Sequence, residues 1–295
     1  MRHHLRVMLA GWLVFAIASV APALATEPVD LELVLAVDIS GSIDPEEARL
    51  QRQGYVAAFR HPDVKKAIAS GYNGKIAVTY FEWAGAGWQR PIAGWTTIGS
   101  AAEAEAFADR LAAARVGTGP YTSLSGAIEF AVPLFEQSGV KGVRRVIDIS
   151  GDGENNSGPP VEPARDAAVA RGLTINGLPI VNDRPTRIGG LPPLPHLDRY
   201  YEKCVIGGRG AFLIVANDFA SFADAIRRKL ILEIADLTPA PHETRAAPVR
   251  HETRAAPASF LHLAQGGEAA LPDYLDCNIG YRRMIDIYRQ RGGQF

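Results

Sequence analysis

Apolar positions fall into short unbroken runs that alternate with longer stretches of helical spacing. Leu31 to Val37 is a branched apolar run, interrupted only by Glu32 and ended abruptly by Asp38, and it predicts a buried strand. Asp44-Pro45-Glu46-Glu47 supplies an N-cap, a proline at the first helical position and an acid at the third. A helix to about Phe59 follows. Lys75 to Trp83 reads as a strand, Gly85-Ala86-Gly87 as a turn, and Gln89 to Thr97 as an antiparallel edge strand that tolerates Pro91. Alanine- and acid-rich Ser100 to Arg115 predicts a helix, and Ser123 to Gln137 another, entered from Thr122. Val143 to Ile149 reads as a central strand and Pro163 to Arg171 as a helix. Thr174 to Val181 and Gly210 to Ala216 read as the last strands, and Phe219 to Ile234 as a closing helix. This alternation predicts an α/β fold: a doubly wound, mostly parallel sheet with one antiparallel edge strand and helices on both faces.

Composition narrows the class. Of 295 residues, 47% are apolar and 21% charged, ordinary for a globular chain with a substantial core. The formal charge of −1 offers no surface for nucleic acid or anionic membrane. Residues 1–25 read as a signal peptide: Arg2 and Arg6 in a positive start, an apolar Val7 to Val20, then Ala23-Leu24-Ala25 as a small-x-small cleavage pattern. The apolar part falls short of the roughly 20 residues that span a bilayer. Cleavage leaves 29 basic against 32 acidic residues, a net charge of −3, and no transmembrane segment. The expected location is periplasmic or secreted. Export makes Cys204 and Cys277 an expected disulfide, with two buried thiols as the alternative.

The globular part is expected over 26–237. In 238–258, His242-Glu243-Thr244-Arg245-Ala246-Ala247-Pro248 recurs as His251-Glu252-Thr253-Arg254-Ala255-Ala256-Pro257, a Pro/Ala-rich linker made by local duplication. Residues 259–295 form a short tail with a helix-like Tyr281 to Arg291, too small to fold alone and held to the domain if Cys277 pairs with Cys204.

Candidate chemistry begins where the first strand stops. Asp38-Ile39-Ser40-Gly41-Ser42 presents carboxylate, hydroxyl and hydroxyl at a strand end, oxygen donors of the kind that suit hard divalent cations. Alone the pattern is weak, since Asp, Ser and Gly favour turns anyway. Two further segments strengthen it: Thr122-Ser123-Leu124-Ser125-Gly126-Ala127-Ile128, and Val146-Ile147-Asp148-Ile149-Ser150-Gly151-Asp152-Gly153-Glu154. Asp148, inside an apolar run, is expected to serve a buried hydrogen bond or ion pair rather than a ligand role. Trp83, Trp88 and Trp95 are expected to pack around one hairpin.

These three pieces, in this order, resemble the von Willebrand factor A domain and its metal-ion-dependent adhesion site, over roughly Val29 to Leu237. The resemblance implies Ser40, Ser42 and Thr122 as direct ligands and Asp38 and Asp152 as water-mediated ones, around Mg²⁺ (or Mn²⁺ or Ca²⁺). It also implies a protein partner that offers an Asp or Glu to the metal. Glu82-Trp83, Trp95 and the run Gly151 to Asn156 are similar to a group of secreted bacterial members whose function is unknown. Gly119-Pro120-Tyr121 departs from the small residues common in the family. Tyr121, with Glu154 and Asn155, is expected to form the partner-binding rim.

Enzyme classes fare worse. A dehalogenase-type phosphatase needs a second Asp where Ser40 stands, and neither a G-x-S-x-G elbow nor a G-x-x-x-x-G-K-[ST] loop occurs. Outside the signal peptide and linker only His61, His196 and His262 remain, none in a triad-like setting. A non-enzymatic binding module is therefore expected. The alternatives are a hydrolase acting through a metal-bound water and a metal-free envelope scaffold.

Overall fold

The computed structural model describes residues 27–181, 192–219, 221–236 and 276–290. The segments expected as signal peptide and duplicated linker, and residues 259–275 and 291–295, lie outside the described residues.

The sheet has five strands: β1 (Glu27–Asp38), β2 (Ile76–Trp83), β3 (Gln89–Ile98), β4 (Val140–Gly151) and β5 (Thr174–Pro179). Their order is β3-β2-β1-β4-β5; β1 pairs in parallel with both β2 and β4, β4 with β5, and β3 runs antiparallel at the edge as expected. The helices are α1 (Pro45–Arg60), α2 (Pro62–Ala69), α3 (Ala101–Ala113), α4 (Leu124–Ala131), α5 (Val161–Ala170), α6 (Leu197–Tyr200), α7 (Phe222–Ile234) and α8 (Ile279–Gln290).

The odd positions of β1 (Leu31, Leu33, Leu35, Val37) join a core with Tyr55 and Phe59 of α1, Phe107 of α3, and Phe222, Ile226 and Leu230 of α7. Val34 and Ala36 face the opposite core, with Leu124 and Ile128 of α4, Val161 of α5, and Tyr200 and Tyr201. Two-sided burial explains why β1 is a continuous apolar run and not an alternating one. α1 begins at a full capping box: the Asp44 carboxylate accepts from the Glu47 amide, and Glu47 accepts from the Asp44 amide.

Three elements differ from the sequence pattern. The segment expected as one helix to Gln137 is α-helical only to Ala131 and continues as a 3₁₀ turn over Val132–Gln137, because Pro133 has no N–H to donate at that point. Gly210 to Ala216 makes isolated parallel bridges, Leu213 to Gly177 of β5 and Ala216 to Ile180 just beyond it, in place of a full strand. The Phe212 N–H is taken by the Asn176 side chain, which interrupts the ladder. α2 had no counterpart in the pattern; it starts at Pro62 after His61, whose Nδ1 accepts from the Asp63 amide.

Candidate metal centre

β1 and β4 are adjacent, yet the chain leaves them over opposite faces. A crevice therefore opens at their C-terminal ends, where ligands of doubly wound sheets bind. Asp38 is the last residue of β1, and Asp152 follows the last residue of β4.

The five residues expected as ligands come from three separate segments. The Ser40 N–H donates to Asp38 Oδ1 at 2.7 Å, which curls the loop back on its own strand end. The Ser40 and Ser42 hydroxyls lie 3.0 Å apart, and Ser42 Oγ donates to Asp152 Oδ1 at 2.6 Å, joining the β1 and β4 loops. Thr122 enters from the start of α4; its backbone exchanges two hydrogen bonds with Asn156, through Asn156 N–H to Thr122 O at 2.9 Å and Thr122 N–H to Asn156 Oδ1 at 2.8 Å. Its hydroxyl faces Gly153, where an added Cβ would meet Thr122 Oγ1 at 3.6 Å. Asp38, Ser40, Thr122 and Asp152 are buried, whereas Ser42 opens to solvent.

The Asp38 carboxyl is strongly perturbed. Burial, followed by the nearby Asp152 charge, pushes its carboxyl well above the usual carboxylate range. Its Oδ2 is buried without a hydrogen-bond partner. Two buried, mutually repelling carboxylates with hydroxyls between them form a donor set that fits a hard cation, which would offset both the repulsion and the orphaned oxygen. Among the described residues no group of three or more His, Cys, Asp or Glu side chains could hold a metal, so a cation here would depend on the hydroxyls.

Of the expected rim, Tyr121 is 54% exposed and sits at φ 59°, a conformation costly for a residue with a Cβ. Glu154 and Asn155, also expected at the rim, are buried. Glu154 is buried against Arg283 of α8, with Nη1 to Oε1 at 2.6 Å. The Asn155 side chain accepts from the Ser125 amide at 3.1 Å and donates to the Pro159 carbonyl at 2.9 Å. Both brace the loop after Asp152, and their polarity in the sequence reflects internal partners, not solvent.

The tail completes that brace. Cys204 and Cys277 form a disulfide with Cα atoms 5.5 Å apart. Tyr281 donates to the Gly158 carbonyl, and Gly280 packs so closely on the loop that a Cβ there would stand 2.2 Å from the Asn155 carbonyl oxygen.

Sequence reasoning missed the turn at Tyr200 to Val205. The apolar spacing of Leu197, Tyr200, Tyr201, Cys204 and Val205 is helical and signals a buried face. Tyr200 closes α6, and Tyr201–Val205 is a π-helical turn. The Tyr200 hydroxyl accepts from the Asn155 amide at 3.1 Å and donates to the Cys277 carbonyl at 3.3 Å. The Tyr201 hydroxyl is buried beside Asp38: a Cβ on Gly151 would stand 2.8 Å from both Asp38 Oδ2 and Tyr201 Oη.

Asp148 is buried away from this set, as expected. Its Oδ1 lies 2.6 Å from Lys229 Nζ of α7, which also pairs with Glu233 at 2.5 Å, and all three side chains are inaccessible to solvent. Trp83 is buried and the Trp95 indole donates to the Leu134 carbonyl, so both pack.

A family model described as "Protein of unknown function (DUF1194)" matches residues 28–238. No curated protein matches the chain. Similar solved structures include proximal thread matrix protein 1 from the mussel byssus, 13% identical with TM-score 0.50, covering 72% of this chain and 49% of that one. The pilus adhesin SpaC from Lactobacillus rhamnosus GG is 14% identical with TM-score 0.50, covering 72% of this chain and 31% of that one. A von Willebrand factor type A protein from Catenulispora acidiphila is 13% identical with TM-score 0.47, covering 70% of this chain and 43% of that one. The chain thus spans half or less of the length of these proteins, and the first two likenesses, at such low identity, speak to fold alone.

Proposed function

Starting from a chain that belongs to the DUF1194 family, we propose that it is an exported, metal-dependent protein-binding module. The hydroxyls of Ser40, Ser42 and Thr122 would hold a Mg²⁺-type cation directly, and Asp38 and Asp152 would hold it through water. One observation carries this reading: oxygen donors from three distant segments come together at the C-terminal ends of β1 and β4, and one of them, the buried Asp38 Oδ2, has no hydrogen-bond partner. When bound, a cation held mainly by neutral hydroxyls keeps much of its charge and attracts an anionic oxygen.

The protein's own part is to build and shield that position. Asp38 is fixed by the Ser40 amide, Asp152 by the Ser42 hydroxyl, and the Thr122 segment by Asn156. Ser42 lies at the open side, and the exposed Tyr121 ring offers an apolar contact beside an incoming Asp or Glu of a partner. The locations that suit this role are the periplasm and the cell exterior. Among the described residues no helix is long and apolar enough to cross a membrane.

The test is calorimetric titration of Mg²⁺ and Mn²⁺ into the chain from Thr26 onward, beside Asp38→Ala and Ser40→Ala. Saturable binding in the parent and its loss in both variants is expected. Binding that survives both substitutions, or a parent that binds neither ion, would overturn the reading. Where the ion binds, capture of a partner should require it and should compete with acidic peptides.

A further inference from the structure

The Tyr201 hydroxyl is a problem for a purely structural account. It is completely buried and has no hydrogen-bond partner, in a place where phenylalanine would fill the same space. Leaving a buried hydroxyl unpaired costs about 1–3 kcal/mol, so such a group needs an explanation. The second orphan in the neighbourhood is Asp38 Oδ2, and the two flank Gly151, the one residue type that leaves room for both.

The local backbone points the same way. A π-helical turn spans Tyr201–Val205, and such turns recur at functional sites because they re-aim consecutive side chains. Here Tyr200 and Tyr201 both point inward, with ring centroids 6.4 Å apart. Tyr200 is fixed between the Asn155 amide and the Cys277 carbonyl, and Cys204 is bonded to Cys277. The turn is thereby tied to the loop that carries Asp152, and the Tyr201 side chain is held against the end of β1.

We infer that Tyr201 is a positioning residue of the metal centre: when the ion is bound, its hydroxyl donates to Asp38 Oδ2, directly or through one water, and orients that carboxylate toward the ion. The inference rests on the metal reading above. Groups that orient metal ligands from behind typically change metal affinity about 10–100-fold when removed. The disulfide and α8 enter only as the support that keeps the turn in place.

Tyr201→Phe isolates the hydroxyl while keeping the ring. In calorimetric titration of Mn²⁺ into the chain from Thr26 onward, it should weaken binding by about tenfold or more. Urea unfolding without metal should show stability equal to or above the parent, because an unpaired buried hydroxyl has been removed. Mn²⁺ affinity equal to that of the parent would refute the inference and leave the metal reading intact. Weaker binding together with lower metal-free stability would mark the hydroxyl as structural and would also refute it. A parent that binds no Mn²⁺ removes the metal reading itself, and this inference with it.

Discussion

Replacing Asp148 by asparagine separates a buried charge cluster from an ordinary ion pair. Asp148 on β4 and Glu233 on α7 share one cation, Lys229, in a fully buried setting, so one negative charge is left over. Asn176 donates to Glu233 at 2.8 Å, and the Tyr55 hydroxyl, itself pushed up by burial and by Asp148, lies nearby. Burial first, then the Glu233 charge, raises the Asp148 carboxyl from 3.8 to about 7, against the opposing pull of Lys229. The folded protein therefore holds this proton more tightly than the unfolded chain does. Its contribution to stability is full below the unfolded value and is lost as pH rises through the folded one. A carboxyl moved from 3.8 to about 7 corresponds to about 4 kcal/mol in total. Of this, about 2 kcal/mol disappears between about pH 5 and about pH 7. The amide that replaces this carboxyl in Asp148→Asn cannot titrate and leaves a neutral Lys229–Glu233 pair. Urea unfolding of both proteins over that range should show the parent losing about 2 kcal/mol relative to Asp148→Asn as pH rises. Parallel curves, or a parent that gains on the variant with pH, would show that Asp148 is a simple ionised partner of Lys229 and would refute the reasoning.

Three further outcomes are expected. Exchanging both Cys204 and Cys277 for Ser opens a ring of 73 residues and should cost about 4 kcal/mol by chain entropy; an unchanged urea midpoint would count against a stabilising bridge. Gly280→Ala places a Cβ 2.2 Å from the Asn155 carbonyl oxygen and should loosen α8 at a cost of about 1–3 kcal/mol. It would be seen as faster proteolysis within residues 279–290, and equal cleavage rates would contradict the packing. Asp44→Ala removes a carboxylate that accepts from the Glu46 and Glu47 amides and should cost about 1 kcal/mol; a loss below a few tenths would show that Glu47 alone caps α1.

The centre of the sheet was legible because β1 and β2 are buried on both faces and read as largely apolar runs, and α1 because it begins with a side-chain cap. The convergence of Asp38, Ser40, Ser42, Thr122 and Asp152 was legible from motif order, since strand ends in this topology fall at one edge. The burial of Glu154 and Asn155 was not legible because a polar residue in a loop looks the same whether its partner is water or the protein. Glu154 faces Arg283, 129 positions further along, which local sequence cannot reveal. The place of Tyr201 was hidden for the same reason: a tyrosine at helical spacing reads as core, and only the fold sets its hydroxyl beside Asp38.

The bond between Cys204 and Cys277 makes the position of α8 independent of what lies between them. A covalent ring fixes its two ends whatever its contour length, so insertions inside it are nearly free. Lengthening a ring of 73 residues by one nine-residue copy changes its closure free energy by only about 0.1 kcal/mol. The repeated His-Glu-Thr-Arg-Ala-Ala-Pro unit lies inside this ring. Selection can therefore lengthen, shorten or rewrite that stretch while the helix stays on the Asp152 loop, and a protease that cuts there leaves both halves covalently joined.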